Sequence, residues 1–124
     1  MNDKELFEYI GFLLNRRGWS AIKVMLGSTY VIMKDDFRVP ANLRGKQGAE
    51  FNFKMNRKYN TCQIVYDRGL DLFDMVLFKN TPEKLDLRTG NLKGGISNVK
   101  VFKGLYFEDL KETFERNTGL YTSL

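Results

Sequence analysis

The chain contains no histidine, only one cysteine and two prolines among its 124 residues. Histidine is the one side chain whose ordinary pKa lies near neutrality. Its absence therefore removes the serine–histidine and cysteine–histidine catalytic arrangements and the histidine acid–base pair of many ribonucleases. The common zinc sites, which combine cysteine with histidine, are excluded for the same reason. We therefore expect a protein without enzymatic activity, without a metal and without any other cofactor.

The single cysteine also excludes an internal disulfide bond, and together with five methionines it is typical of a reducing compartment. Cys62 lies inside the apolar run 61–66, which indicates a buried core residue rather than a nucleophile. The apolar run 75–78 is far too short to span a membrane, and the first residues lack the basic and apolar segments of a signal peptide. We expect a soluble cytoplasmic protein with no membrane partner.

Carboxylates are the remaining route to acid–base or magnesium chemistry. Asp67, Asp71 and Asp74 cluster around a predicted turn and could gather oxygen ligands, but a solvated turn explains the same residues. The only acid-x-lysine sequence, at residues 109–111, falls in a predicted helix, whereas a metal-dependent nuclease would need it on a strand. No glycine-rich nucleotide-binding motif occurs either.

The composition is that of one globular domain. A chain of 124 residues, 43% hydrophobic and 28% charged, buries about two thirds of its unfolded surface, so it can fold without disulfides or metals. Ten phenylalanines, six tyrosines and one tryptophan supply the material for one core. We predict a single domain over residues 1–124.

Two amphipathic helices are predicted, one near each end of the chain. Apolar residues recur at helical spacing near the N-terminus, Asn2 can cap the first turn, and Gly18 can end the last one. These features predict a helix over residues 3–17. A second helix is predicted over residues 106–117, with acidic residues in its first turn and Gly119 as its end.

Between these helices the pattern is that of short β-strands joined by turns. Phe51, Phe53 and Met55 alternate with polar residues, and Gly27-Ser28 has the form of a two-residue hairpin turn. The predicted strands cover residues 19–26, 29–34, 51–55, 61–66, 70–79 and 98–103, with a short strand at 84–87 before a break at Gly94-Gly95. The predicted fold is therefore α+β: an antiparallel sheet of five or six strands flanked by an N-terminal and a C-terminal helix.

Charge is distributed unevenly along the chain, which has a net charge of +5. Residues 34–60 carry seven lysines and arginines against three acids, and residues 81–104 carry five against two. The last stretch, 105–124, carries two against four. Such a polarised chain can steer an anionic partner toward its basic part.

The candidate nucleic-acid-binding residues come from the basic middle of the chain. The stretch 35–49 has no regular pattern, so it is either a flexible hairpin connection or a segment that contacts phosphates or a partner. The next basic residues follow the predicted strand at 51–55. The candidates are Arg38, Arg44, Lys46, Lys54, Arg57, Lys58 and Tyr59.

A polar sheet face could complete this site. If Phe51 and Phe53 face the core, the opposite face carries few acids, and it could follow a phosphate backbone with Tyr59 or Tyr66 stacked on a base. A solvated sheet face explains the same pattern. The predicted outer face consists of Asn52, Lys54, Asn56, Thr61 and Gln63.

We therefore predict a small non-catalytic binding protein, with nucleic acid favoured as the partner. The alternative is a protein-interaction or inhibitor module that docks on a larger protein, for example a phage-type blocker of a host or defence protein. It would use exposed aromatic residues, for which the candidates are Phe37, Tyr59, Phe73 and Tyr121. A homodimer joined through an uncovered sheet edge is a further alternative.

Overall fold

The fold was determined as a computed structural model that describes residues 1–37 and 46–122, with Lys93 described by its backbone alone. Five antiparallel strands form one sheet in the order of the chain, with two helices before the sheet and one after it. This confirms the predicted α+β fold. The elements are α1 (Asp3–Leu14), α2 (Trp19–Leu26), β1 (Val31–Lys34), β2 (Gln47–Asn52), β3 (Thr61–Asp67), β4 (Leu72–Leu85), β5 (Leu92–Leu105) and α3 (Leu110–Thr118).

Helix α1 begins as its sequence predicts but ends earlier. The Asn2 side chain accepts a hydrogen bond from the Glu5 backbone N–H at 2.8 Å, which satisfies one of the unpaired donors of the first turn. The helix stops at Leu14 because Asn15 is extended, with a φ of −151°. The predicted end at residue 17 is therefore wrong.

Residues 19–26 form helix α2, so the predicted strand there is wrong. Trp19, Ile22 and Leu26 are buried at spacings of three and four, which is the period of a helix. Gly27, which was expected in a hairpin turn, ends α2 in the left-handed conformation at a φ of 66°. Gly18 starts this helix rather than ending the first one. The N-terminal layer is consequently a helix pair.

The sheet is regular across its first four strands. Strand β2 pairs with β1 on one side and with β3 on the other, and β3 pairs with β4 from Thr61↔Phe78 to Asp67↔Leu72. Met55, expected in the core on the alternation of β2, lies beyond the strand at a φ of 72° and is 88% exposed. The strand predicted at 51–55 is therefore observed at Gln47–Asn52, and it ends three residues earlier than predicted.

Strands β4 and β5 are 14 residues long and extend past the rest of the sheet. Residues 79–98 form a two-stranded hairpin, called here the arm, whose turn lies at residues 86–91. The strand predicted at 84–87 is not separate, because β4 continues to Leu85, and the break predicted at Gly94-Gly95 is wrong, because both glycines lie inside β5. Gly94 has a φ of 105°, and a Cβ atom there would lie 2.3 Å from the Pro82 carbonyl oxygen. Glycine thus lets β5 pass close to the bulged segment of β4.

Helix α3 follows a short 3₁₀ turn at Phe107–Asp109 and ends at Gly119, which adopts the predicted left-handed conformation. The following Thr122 is buried, and its hydroxyl donates to the Leu14 carbonyl at 2.8 Å. The chain after α3 therefore packs against the end of α1 as far as Thr122.

The main core lies between the three helices and one face of the sheet. Phe51 contacts Trp19 and Phe114 at centroid distances of 5.4 and 5.6 Å, which joins β2 to α2 and α3. The opposite sheet face carries a smaller cluster of Phe37, Val65, Val76 and Phe78. Within the described part of the chain, no helix is long and apolar enough to cross a membrane.

Candidate functional site

The structure describes five of the seven predicted nucleic-acid-binding residues, and it does not bring all five together. Arg38 and Arg44 lie outside the described residues. Lys46 forms an ion pair with Asp67, with Nζ and Oδ2 3.1 Å apart. Tyr59 is buried in the core, so its ring offers no surface on which a base could stack. Three residues that remain close together are exposed, and they lie in the loop between β2 and β3: Lys54, Arg57 and Lys58.

The predicted polar sheet face is not open to solvent, so that expectation is wrong. Thr61 and Gln63 are each only 2% exposed, and Glu50 on the same face is also buried. Lys54 and Asn56 lie beyond the end of β2 and are not part of a sheet face. The face is polar as predicted, but Glu50 and Gln63 hydrogen-bond to each other and are buried.

These buried polar groups form a cluster around one carboxylate. Glu50 accepts hydrogen bonds from Gln63 Nε2 at 2.8 Å and from the Tyr30 hydroxyl at 3.0 Å, and Lys34 Nζ lies 3.5 Å away. Burial, and then the negative charge of Glu50, raise the pKa of Tyr30 to about 12. Burial is also the main cause of a raised pKa at Cys62. The cluster is a structural link between β1, β2 and β3.

The acidic turn after β3 does not assemble a cation site. Asp67 is held by its ion pair and by backbone N–H groups of the turn, and the ion-pair partner is the main reason that its pKa is lowered. Asp71 accepts from the Tyr66 hydroxyl, and Asp74 accepts from the Gly104 backbone N–H. In residues 1–37 and 46–122, no three acidic or cysteine side chains lie together as metal ligands would.

The loop between β2 and β3 is fixed by one asparagine. Asn56 Oδ1 accepts from the backbone N–H groups of Lys58 and Tyr59, each at 2.8 Å. Its Nδ2 donates to the Thr118 carbonyl at the end of α3, also at 2.8 Å. The buried Tyr59 ring anchors the other side of the loop. The candidate residue Tyr59 is thus a support for the loop rather than a contact.

The same loop is joined to the base of the arm. Asn60 and Asn80 exchange hydrogen bonds of 2.7 and 2.8 Å, and Lys79 Nζ donates to the Arg57 carbonyl at 3.2 Å. The side chain of Asn98 donates to the Lys58 carbonyl at 3.2 Å. Loop and arm therefore form one continuous surface.

Two lysines that the sequence did not single out complete this surface. Lys79 reaches the loop, as described above, and Lys100 lies over the Phe102 ring with its Nζ 3.5 Å from Asn117 Oδ1 at the end of α3. We call Lys54, Arg57, Lys58, Lys79 and Lys100 the basic loop surface. None of these five residues forms an ion pair with a described side chain. Their charges are consequently open to an anionic partner.

The arm continues this surface on one of its two faces. The cross-strand pairs Lys79↔Ser97, Thr81↔Gly95 and Lys84↔Lys93, with a register shift before the last, place Lys79, Thr81 and Lys84 on one face of the arm. The Glu83 carboxylate lies beside Gly95, 3.6 Å from a Cβ atom built there. The cross-strand partners Leu85 and Leu92 lie on the opposite face, and both are exposed. The arm is therefore amphipathic, with its polar face adjoining the basic loop surface.

The aromatic patch expected for the alternative function does not form. Phe37, Tyr59 and Phe73 are buried, and only Tyr121 is exposed. Local alternation could not reveal this, because Phe37 is buried in the cluster on the second sheet face, whereas Tyr59 and Phe73 are buried in the main core.

No protein-family model, no curated protein and no solved structure matches this chain.

Proposed function

We propose that the protein is a non-catalytic binding protein that contacts nucleic-acid phosphates through the basic loop surface. The observation that carries the proposal is the loop between β2 and β3, where Lys54, Arg57 and Lys58 are exposed without an ion-pair partner among the described side chains. The loop sequence from residue 53 to residue 60 contains no acidic residue. Such a site attracts a polyanion over a distance of about 10 Å at moderate salt.

The rigidity of the loop supports the same proposal. Asn56 and Asn60 fix the loop backbone to α3 and to the arm, so the backbone that carries the cations is ordered before a partner arrives. Binding then costs only the ordering of the three long side chains, and not that of the loop itself. An ordered cationic surface favours the regularly spaced phosphates of a nucleic acid.

The surface favours a duplex over a single strand. Proteins that bind single strands without sequence preference add aromatic platforms on which bases stack. Here Tyr59 is buried, and Phe102 is half-buried beneath Lys100. A duplex needs no such platform, because its phosphates are presented on the outside of a stacked helix.

Replacing Lys54, Arg57 and Lys58 together by glutamine tests this function. The triple variant should bind a labelled duplex more weakly, and the slope of log affinity against log salt should flatten by about one unit for each lost phosphate contact. A matched control replaces Lys4, Lys23 and Lys103 by glutamine, which removes the same charge from exposed positions elsewhere. Unchanged affinity in the first variant, or an equal loss in both, would rule out the proposed site.

A further inference from the structure

A groove lies on the opposite side of the helix layer from the sheet. It is formed by the last residues of α1, the turn after it, α2 and the start of α3, and its volume is about 760 Å³. This is within the range of known binding cavities, about 300–1,000 Å³. The lining residues are Phe12, Leu13, Leu14, Asn15, Arg16, Arg17, Ala21, Val24, Met25 and Lys111.

The groove is apolar where a two-layer fold would place polar residues. Helices α1 and α2 already bury one face each in the core, so their outer faces should be polar. Instead Phe12 is 53% exposed and Val24 is 83% exposed. A Cβ atom at Gly18 would lie 3.2 Å from the Phe12 ring, so glycine lets this ring lie against the turn. Phe12 thus forms a fixed apolar wall beside the helix that carries Val24.

The rim of the groove is cationic. Arg16 and Arg17 stand at the turn between α1 and α2, Lys111 stands in the first turn of α3, and no carboxylate lines the groove among the described residues. The amide of Asn15 is already engaged, because its Nδ2 donates to the Thr122 carbonyl at 2.6 Å. Recognition therefore depends on apolar contact and on positive charge.

We propose that this groove binds an acidic amphipathic helix presented by a partner protein. The apolar stripe of such a helix would cover Phe12 and Val24, and its flanking carboxylates would meet Arg16 and Arg17. An open groove suits a helix, because the polar face of the helix stays in water. A nucleic acid would match the charges but would leave the apolar floor exposed. The site shares no residue with the basic loop surface, so it stands independently of the proposed function.

A pair of designed peptides tests the proposal by charge. Each is a blocked helix of about 15 residues, near the length at which isolated helices become stable, with leucines at i, i+4, i+7 and i+11. One carries glutamates beside the leucine stripe and the other carries lysines. The full chain should bind the glutamate peptide at least about tenfold more tightly, which corresponds to about 1.4 kcal/mol. Added salt should weaken that binding.

A variant of α2 tests the location. Val24→Glu places a carboxylate in the groove and should weaken glutamate-peptide binding by about tenfold or more. As the control, Thr89→Glu makes the same charge change at an exposed position in the turn of the arm, away from the groove, and it should leave the affinity within about twofold. Circular dichroism confirms that each variant is folded before binding is measured.

Four results would overturn the proposal. The first two are equal affinity for the two peptides and no binding of the glutamate peptide at about 1 mM. The third is an unchanged affinity for the glutamate peptide in Val24→Glu. The fourth is a larger loss of duplex affinity than of peptide affinity when Arg16 and Arg17 become glutamine. The last result would assign these arginines to a nucleic-acid surface.

Discussion

At the scale of single residues, the main feature is the buried polar cluster around Glu50. Strand alternation directs Glu50 and Gln63 to the same sheet face, where both are buried beside Tyr30 and Lys34. Burying a carboxylate is costly unless donors surround it, and here two hydrogen bonds and one cation do so. The Gln63 Oε1 atom is buried and has no hydrogen-bond partner among the described residues. The cluster therefore depends on its full set of donors.

This cluster predicts a loss of stability at alkaline pH. The ordinary pKa of tyrosine, 10.0, applies in the unfolded chain, whereas burial and Glu50 raise the pKa of Tyr30 to about 12 in the fold. Between these pH values the unfolded state binds fewer protons, so the contribution of Tyr30 to the free energy of unfolding falls as the pH rises from 10 to 12. Urea unfolding at several pH values should show this decline in the wild type and a shallower one in Tyr30→Phe.

Tyr121→Phe is the control for that experiment, because it removes a phenol from the exposed surface. It should retain the full decline of the wild type. Identical declines in Tyr30→Phe and the wild type would show that the Tyr30–Glu50 contact does not govern the alkaline limb.

The sequence pattern predicted that this sheet face carries polar residues, but it did not predict that they are buried. The polar identity of Thr61 and Gln63 follows from alternation along β3, and the sequence places both opposite the main core. Their burial depends on the second cluster around Phe37, Val76 and Phe78, whose members are distant in sequence. Tyr59 was misplaced for a similar reason, since a loop tyrosine is buried here by the elements around it.

At the scale of elements, the arm distinguishes this sheet from a simple antiparallel meander, because β4 and β5 extend past the other strands. Past the Thr61–Phe78 pair, β4 and β5 pair as strands only with each other in the described chain. Their pairing shifts at three places, and Asn98, Gly94 and Gly104 adopt positive φ values at or beside these shifts. Bulges twist a ribbon and disfavour pairing with another chain. The arm is therefore suited to stand alone in solvent.

Gly94→Ala should loosen the arm without unfolding the domain. Its Cβ would clash with the Pro82 carbonyl oxygen at 2.3 Å, in a backbone conformation that alanine rarely adopts. The leucines of the arm are exposed, so little core packing depends on it. Hydrogen exchange should become faster for amides of residues 79–98, while the urea midpoint changes little.

Gly90→Ala is the matched control. Gly90 also has a positive φ, of 72°, but no atom lies within 4 Å of its added Cβ, so only the conformational cost of about 1 kcal/mol applies. A large fall of the urea midpoint in Gly94→Ala would show instead that the arm is part of the cooperative core.

Local signals predicted most of the elements and failed at two of them. The helix α1, the middle strands and the glycine end of α3 follow from spacing and capping residues. Residues 19–26 were assigned to a strand because Trp19, Ile22 and Val24 favour strands by propensity, and packing against α1 overrides that preference. The sequence predicts a break at Gly94-Gly95 where β5 is continuous, because bulges use the residues that usually mark loop boundaries.

At the scale of the whole molecule, the two proposed sites occupy separate regions. The basic loop surface lies where β2 ends and the arm begins, whereas the cationic groove lies around the turn between α1 and α2. The sequence predicted the basic middle of the chain, and with it Lys54, Arg57 and Lys58. It could not predict that Lys79 and Lys100 join them, since those contacts depend on strand register.

The most direct test of the central claim is the salt dependence of nucleic-acid binding by the wild-type chain. Fluorescence anisotropy should be measured with labelled duplex DNA, single-stranded DNA and RNA at several salt concentrations. We predict tightest binding to a duplex and a linear fall of log affinity against log salt, with a slope of about −3 to −5 for three to five phosphate contacts. Absence of binding at low salt, where phosphate contacts are strongest, would contradict the account.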